Sequence, residues 1–354
     1  MSEKNLPIKI VLPKNEDIYP NKGGGDVKFF GEVTEKLQMD IANKFENLMS
    51  FYEEVFDEND NVPAVGKIIV KPEAIAKSHK PEDLCRCCPI IGTEDLNEIY
   101  IKVNKQSLQK TMELVKDPPS KKFKANMTAV LDIQPVKAND KISCQLADKG
   151  QNNFEKIKNE IKIKIFDFDN EFDNSQIWNY VWEKIATLGL ENQCKVIEYG
   201  DHIKYIKVKV NSYDDVTKIA SINGVKSVDF FQEYFQPKYD YSSIDVQDIL
   251  EEDYNDSDIS IGIIDGGISD DNPYLKPYII AREEYVSREY RNPEHATFIA
   301  STIQYGNSLN GIKASKANRF KFVDIIAIPN GDKEYGPIDG ICEDDLMDII
   351  EETM

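Results

Sequence analysis

Between residues 160 and 232 the apolar periodicity switches repeatedly between two and three-to-four, an order that few folds accommodate. Glu160–Phe168 (EIKIKIFDF) alternates apolar and charged residues, as a half-buried strand does. Gln176–Leu188 then carries Ile177, Val181, Trp182, Ile185 and Leu188 at helical spacing. Lys195–Tyr199 and Ile203–Val210 read as strands joined by Gly200-Asp201-His202, a hairpin signal that leaves His202 at a solvated tip. Asp214–Ile222 reads as a helix stopped by Asn223-Gly224, and Val225–Phe231 as a final strand.

The resulting β-α-β-β-α-β order predicts a ferredoxin-like α+β domain over residues 155–236. That arrangement hosts many activities and identifies none by itself. Upstream, residues 1–30 read as a flexible lead-in. Gly23-Gly24-Gly25 is not followed by the Lys-Ser/Thr of a phosphate-binding loop. Residues 31–150 read as an N-terminal α+β extension. Its first element is a helix over 31–56 with Val33, Leu37, Ile41, Phe45, Leu48, Tyr52 and Val55 in one stripe. Strands are expected at 62–70, 98–103 and 126–135, and a helix over 106–116 stopped by Asp117-Pro118-Pro119. His79 reads as a solvated loop residue.

Charge and cysteine usage narrow the function classes. The 354 residues carry 63 Asp and Glu against 43 Lys and Arg, a formal net charge of −20. Phosphate binding needs a basic face, so the balance argues against nucleic acid as a partner and against docking to an anionic membrane. No apolar run approaches the roughly 20 residues of a membrane helix, and the N-terminus lacks a signal-peptide core. Six cysteines are present, three of them in Cys85-Arg86-Cys87-Cys88. With no second ligand pair at zinc spacing, free thiols in a loop are the expectation and no metal site is assigned. The pattern fits a reducing, cytoplasmic setting better than a secreted disulfide framework.

After a polar connector, residues 237–257, the pattern becomes strand–loop–helix, as in α/β chains. Ser260–Asp265 (SIGIID) reads as a buried parallel strand ending in an acid, followed by Gly266-Gly267. The carboxyl end of such a strand is where open α/β sheets place their sites. Thirty residues later, Glu294–Ser301 (EHATFIAS) follows Pro293 and reads as a helix, with His295 in its first turn and Phe298, Ile299 and Ile303 packing inward. A structural Asp capping a turn and a surface histidine remain the plain alternatives for either residue alone.

Taken together, D-G-G at 265–267 and H-A-T-F-I-A at 295–300 resemble the D-[ST]-G and H-G-T-x-V-A motifs of the subtilisin-like serine peptidases. Gly266 stands where the family has Ser or Thr. Ala296 stands where it has Gly, adding a methyl beside the histidine that would narrow the cleft. Asn310–Ala314 is similar to a weakened N-x-x-G-V-A-P stretch, Phe320–Ile328 to the next core strand, and Asp344–Met354 to the start of the following helix. The resemblance covers about residues 258–354. It implies a subtilisin-like parallel-sheet α/β domain, truncated, preceded by a ferredoxin-like pro-domain whose C-terminal tail, at or near Phe230–Phe235, enters the substrate cleft.

The resemblance also implies a chemistry. Asp265 would orient His295, the general base for a serine that attacks a peptide carbonyl. The only later serines are Ser301, Ser308 and Ser315, none in a G-T-S-x-A-x-P context. The family's nucleophile and its oxyanion-hole asparagine are therefore expected beyond Met354. Gly336 and Gly340 are expected at one wall of the substrate site. Protein or peptide substrates are implied and no cofactor. Lys71–Pro81 (KPEAIAKSHKP) resembles the extension of cytoplasmic subtilases that act beside AAA ATPases, which suggests such an ATPase as a partner. The competing expectation is a catalytically inactive, peptide-binding relative.

Overall fold

The computed structural model describes residues 27–76, 79–94, 96–153, 160–200, 203–236, 255–309, 318–331 and 339–353. The chain is mixed α/β with several sheets and divides into two compact units. One comprises Met1–Val136 and Asp167–Tyr180, the other Lys137–Phe166 and Val181–Met354. Residues 137–150, expected with the N-terminal extension, belong to the second unit.

In the first unit the expected long helix is two. Helix α1 (Glu35–Phe51) is capped by Thr34, whose side chain accepts from the Leu37 N–H. It ends at Tyr52, whose hydroxyl donates to the Val65 carbonyl at 2.8 Å, and α2 (Glu53–Glu58) follows. Strands β1 (Ala64–Val70), β2 (Ile90–Thr93) and β3 (Glu98–Val103) precede α3 (Lys105–Lys116), whose start is fixed by a reciprocal Asn104–Ser107 capping box. Residues 126–129, expected as strand, finish helix α4 (Lys121–Ala129). Ser120 caps that helix, and Phe123 and Met127 are buried one turn apart, so helical packing prevails over strand patterning until β4 (Val130–Pro135). The sheet order is β2-β3-β1-β4, antiparallel throughout. Ile41, Phe45 and Leu48 of α1 pack into one core with Ile68, Ile101 and Leu108.

The second unit begins with α5 (Ala138–Lys141) and α6 (Cys144–Asn153). Strand β5 (Glu160–Ile165), α7 (Glu171–Thr187, of which residues 181–187 belong to this unit), β6 (Cys194–Tyr199), β7 (Ile203–Lys209), α8 (Tyr213–Ser221) and β8 (Val225–Phe230) follow. The strands pair antiparallel in the order β6-β7-β5-β8. A Ser212–Asp215 capping box starts α8, and Gly224, at φ +91°, supplies the left-handed turn after it. Ile161, Ile163, Ile206, Val208 and Val228 are fully buried on this sheet.

Beyond it lie β9 (Glu233–Tyr234), β10 (Asn255–Asp265), β11 (Ile279–Glu284), α9 (Glu294–Leu309), β12 (Asn318–Ile326), β13 (Ile341–Cys342) and α10 (Glu343–Thr353). Strands β10, β12 and β11 form a parallel sheet with β12 central. Each face carries a helix. Ala296 and Ala300 of α9 pack with Ile263 and Phe322, and Ile349 of α10 packs with Ile325 and Ala327. Having one described neighbour, β10 is half-buried rather than buried: Ile263 is enclosed while Ile259 is 55% exposed.

Candidate functional site

Asp265 ends β10 and His295 is the second residue of α9. The sharp turn between strand and loop depends on Gly267, at φ +97°, where a Cβ would lie 2.8 Å from Ile326 Cδ1. The turn is further held by Asp324, at the centre of the sheet on β12. Its carboxylate accepts from the Ile268 N–H at 3.1 Å and from Arg282 Nε at 2.8 Å. Asp324 is fully buried, and burial raises its pKa against the opposing pull of the Ile268 N–H and Arg282. Arg282 also donates to the Ile268 carbonyl and pairs with Asp270, a hydrogen bond that holds the Asp270 carboxyl below its usual range. On the helix side, Thr297 Oγ1 accepts from the Ser269 N–H at 2.9 Å.

This framework brings His295 Nδ1 into hydrogen-bond contact with Asp265 Oδ2. Asp265 is 4% exposed, and its Oδ1 accepts from the Gly266 N–H at 2.7 Å. The His295 side chain keeps 31% of its surface. A buried acid thus faces one nitrogen of a partly accessible imidazole, the arrangement that fixes a histidine tautomer.

Two expectations about α9 need correction. The Ala296 methyl is fully buried in the core under the helix, so it contributes packing rather than narrowing a cleft. Phe298 is 50% exposed, because Ala296 and Ala300, one turn apart, take the face toward the sheet.

A third segment enters the site. Strand β9 pairs antiparallel with β13, Tyr234 opposite Ile341 and Glu233 opposite Cys342, and the Glu343 N–H donates to the Gln232 carbonyl at 2.9 Å. Further along, the Gln236 N–H donates to the Pro329 carbonyl at 2.9 Å, in a parallel bridge to Asn330. Residues 232–236 are therefore held by backbone bonds to two segments, 341–343 and 329–330. Phe235 lies on Gly331 and Gly340: a Cβ on Gly340 would come 2.8 Å from its ring carbons. Gln236 is buried, and its Nε2 donates to Asp265 Oδ1 at 2.5 Å.

The start of α10, next to β13, is tied to the antiparallel sheet. Lys162 pairs with Glu343 at 2.5 Å and Lys207 with Asp344 at 2.7 Å. The Tyr199 hydroxyl lies 2.8 Å from both the Asp344 carbonyl oxygen and Asp348 Oδ1, which share its one proton. Burial lowers the Lys207 pKa, but its hydrogen bonds to Asp344 and Glu160 outweigh that and raise it overall. Burial is also the main reason the Tyr199 phenol is pushed up.

Among the other sequence candidates, Gly340 lies in the site, whereas Gly336, Asn310–Ala314, Ser315 and His202 fall outside the described residues. Ser301 lies on α9, two turns from its start. His79 is half-buried rather than solvated, its ring edge-on to Phe30 at 5.0 Å. Cys85 and Cys88 are buried free thiols whose pKa values burial pushes up, which opposes thiolate reactivity. Among the described residues one group, Cys342, Asp344 and Asp345, has metal-compatible spacing, and Asp344 there already pairs with Lys207. No helix among them is long and apolar enough to cross a membrane. The sequence pattern did not mark Gln236, Asp324 or Arg282. The single acid inside FKFVDIIAI was the one available signal, for Asp324. Searches against models of known protein families and against curated proteins find no match to this chain.

Proposed function

We propose that the chain is the Asp- and His-bearing part of a subtilisin-type serine endopeptidase, carrying a ferredoxin-like pro-domain whose tail occupies the substrate groove. The observation that carries this reading is the contact of Asp265 Oδ2 with His295 Nδ1, where the end of a parallel strand meets the first turn of a helix. The strand order β6-β7-β5-β8 and the added strand at 232–236 support it.

In this reading the Asp265 carboxylate accepts a hydrogen bond from the His295 Nδ1–H, which fixes the tautomer and leaves Nε2 free to take the proton of a serine hydroxyl. The serine oxygen bonds to the peptide carbonyl carbon, the peptide C–N bond breaks, and the proton on Nε2 passes to the departing amine. The serine comes from outside these 354 residues. The backbone edges at 329–330 and 341–342 hold the peptide extended, and Gly331 and Gly340 leave room for an aromatic side chain.

A fluorophosphonate probe tests the proposal. The 354-residue chain stays unlabelled; the full product of its gene, freed of residues 155–236, is labelled, and His295→Ala abolishes the labelling. An unlabelled full product overturns the peptidase reading in favour of a peptide-binding protein, which a groove that takes an extended strand would equally serve. Labelling of the short chain at Ser301, Ser308 or Ser315 would show that the nucleophile lies elsewhere.

A further inference from the structure

Asp265 is almost fully buried, and a buried carboxylate is tolerated when its oxygens are matched by donors. Three groups meet it: His295 Nδ1 on Oδ2, and the Gly266 N–H and Gln236 Nε2 on Oδ1. The third comes from 29 residues upstream, on the strand lying in the groove.

Resting on the reading of Asp265 and His295 given above, we infer that Gln236 is a positioning residue for that pair, acting through the Asp265 carboxylate. Space supports this first. Position 266 has no side chain, and a Cβ there would lie 2.4 Å from Gln236 Nε2 and 2.5 Å from its Oε1. The amide of Gln236 therefore fills the volume beside the carboxylate that a residue-266 side chain would need. The Asn292 carbonyl, 2.6 Å from the same point, closes that volume from the other side.

Polarity supports it second. A carboxylate only accepts, so the amide must present its N–H to Asp265. This orientation leaves Gln236 Oε1 buried without a partner among the described residues. A buried, unpaired amide oxygen is unfavourable and is kept only where the opposing N–H is well used.

Backbone geometry supports it third. The Gln236 N–H is bound to Pro329, and Tyr234, two residues earlier, is paired with Ile341. The side chain thus leaves a backbone fixed both at its own position and two residues before it. The tail both occupies the groove and supplies a donor to the acid, so its withdrawal removes the occupant and loosens the carboxylate in one step.

The test uses the ¹⁵N-labelled 354-residue chain and the low-field proton of His295 Nδ1, assigned by its loss in His295→Gln; the chain has only three histidines. Gln236→Met keeps length and the backbone bond but has no donor. With the amide resonances of 233–235 and 341–342 unchanged, it should shift or broaden the His295 signal. Gln236→Lys keeps a donor and should leave the signal near its wild-type position. A His295 signal unmoved in Gln236→Met with the tail in place overturns the inference. If Gln236→Met frees the tail, the lysine variant decides: a signal lost equally in both overturns it, and one retained only with lysine supports it. Failure of the underlying reading looks different, because then Asp265→Asn leaves the His295 Nδ1 proton where it was in wild type.

Discussion

The two sheets of the second unit solve opposite problems. The antiparallel sheet is saturated with apolar contact: Ile161, Ile163, Ile206, Val208 and Val228 are sealed, and Lys162 and Lys207 pair with Glu343 and Asp344 of α10. The parallel sheet leaves Ile259 and Ile280 more than half exposed and buries two carboxylates, Asp265 and Asp324. Those acids sit on adjacent strands and differ in what matches them. Asp324 is met by a guanidinium and a backbone N–H, which makes it a strut. Asp265 is met by an imidazole, a backbone N–H and a side-chain amide from a distant segment, with no full positive charge fixed beside it among these partners. The contact between Asp265 and His295 thus lies on the more exposed of the two sheets.

The most forceful way to break this contrast is Arg282→Leu. It strands the Asp324 charge in the core and should cost about 3–5 kcal/mol, with much of the loss recovered in Arg282→Leu/Asp324→Asn, measured by urea unfolding. Equal stability of the two variants would show that the pair is not a strut. Next comes Ile206→Ala in the antiparallel sheet, expected to cost about 2–5 kcal/mol, against a change within about 0.5 kcal/mol for Ile280→Thr on the exposed edge. Similar losses at both sites would erase the distinction between the sheets.

The smallest expected effect concerns Lys141, buried against β8 with its ammonium donating to the Ile222 carbonyl. Burial lowers its pKa from 10.5 to about 8. Between those values the unfolded chain binds more proton than the folded one, so stability rises with pH across that window. The gain is on the order of 3 kcal/mol at most, and Lys141→Met should flatten it. An unchanged pH profile in that variant would assign the slope to another group.

Much of this was legible because it is local. The β-α-β-β-α-β order follows from periodicities within 70-odd residues, and Asp265 and His295 stand in short motifs beside apolar runs. What escaped depends on register between distant segments. Gln236 is one polar residue in a polar tail until β9 is set against β13, more than a hundred residues later. Ala296 and Phe298 were misassigned because a helix turns about 100° per residue, and the motif alone does not say which step faces the sheet. Tyr52 continues an apolar stripe perfectly well, and neither the helix end there nor its hydroxyl's bond to Val65 can be read from that stripe.

Gly340 gives the groove a genetic fragility. Every glycine codon is one base change from an alanine codon. The new methyl would stand 2.8 Å from the Phe235 ring and 2.9 Å from the Tyr234 carbonyl oxygen. The ring could swing aside, but Tyr234 is backbone committed to pairing with Ile341. The groove's room for an extended chain is thus held open by a hydrogen atom, and a single nucleotide change would close it without touching any ionisable group.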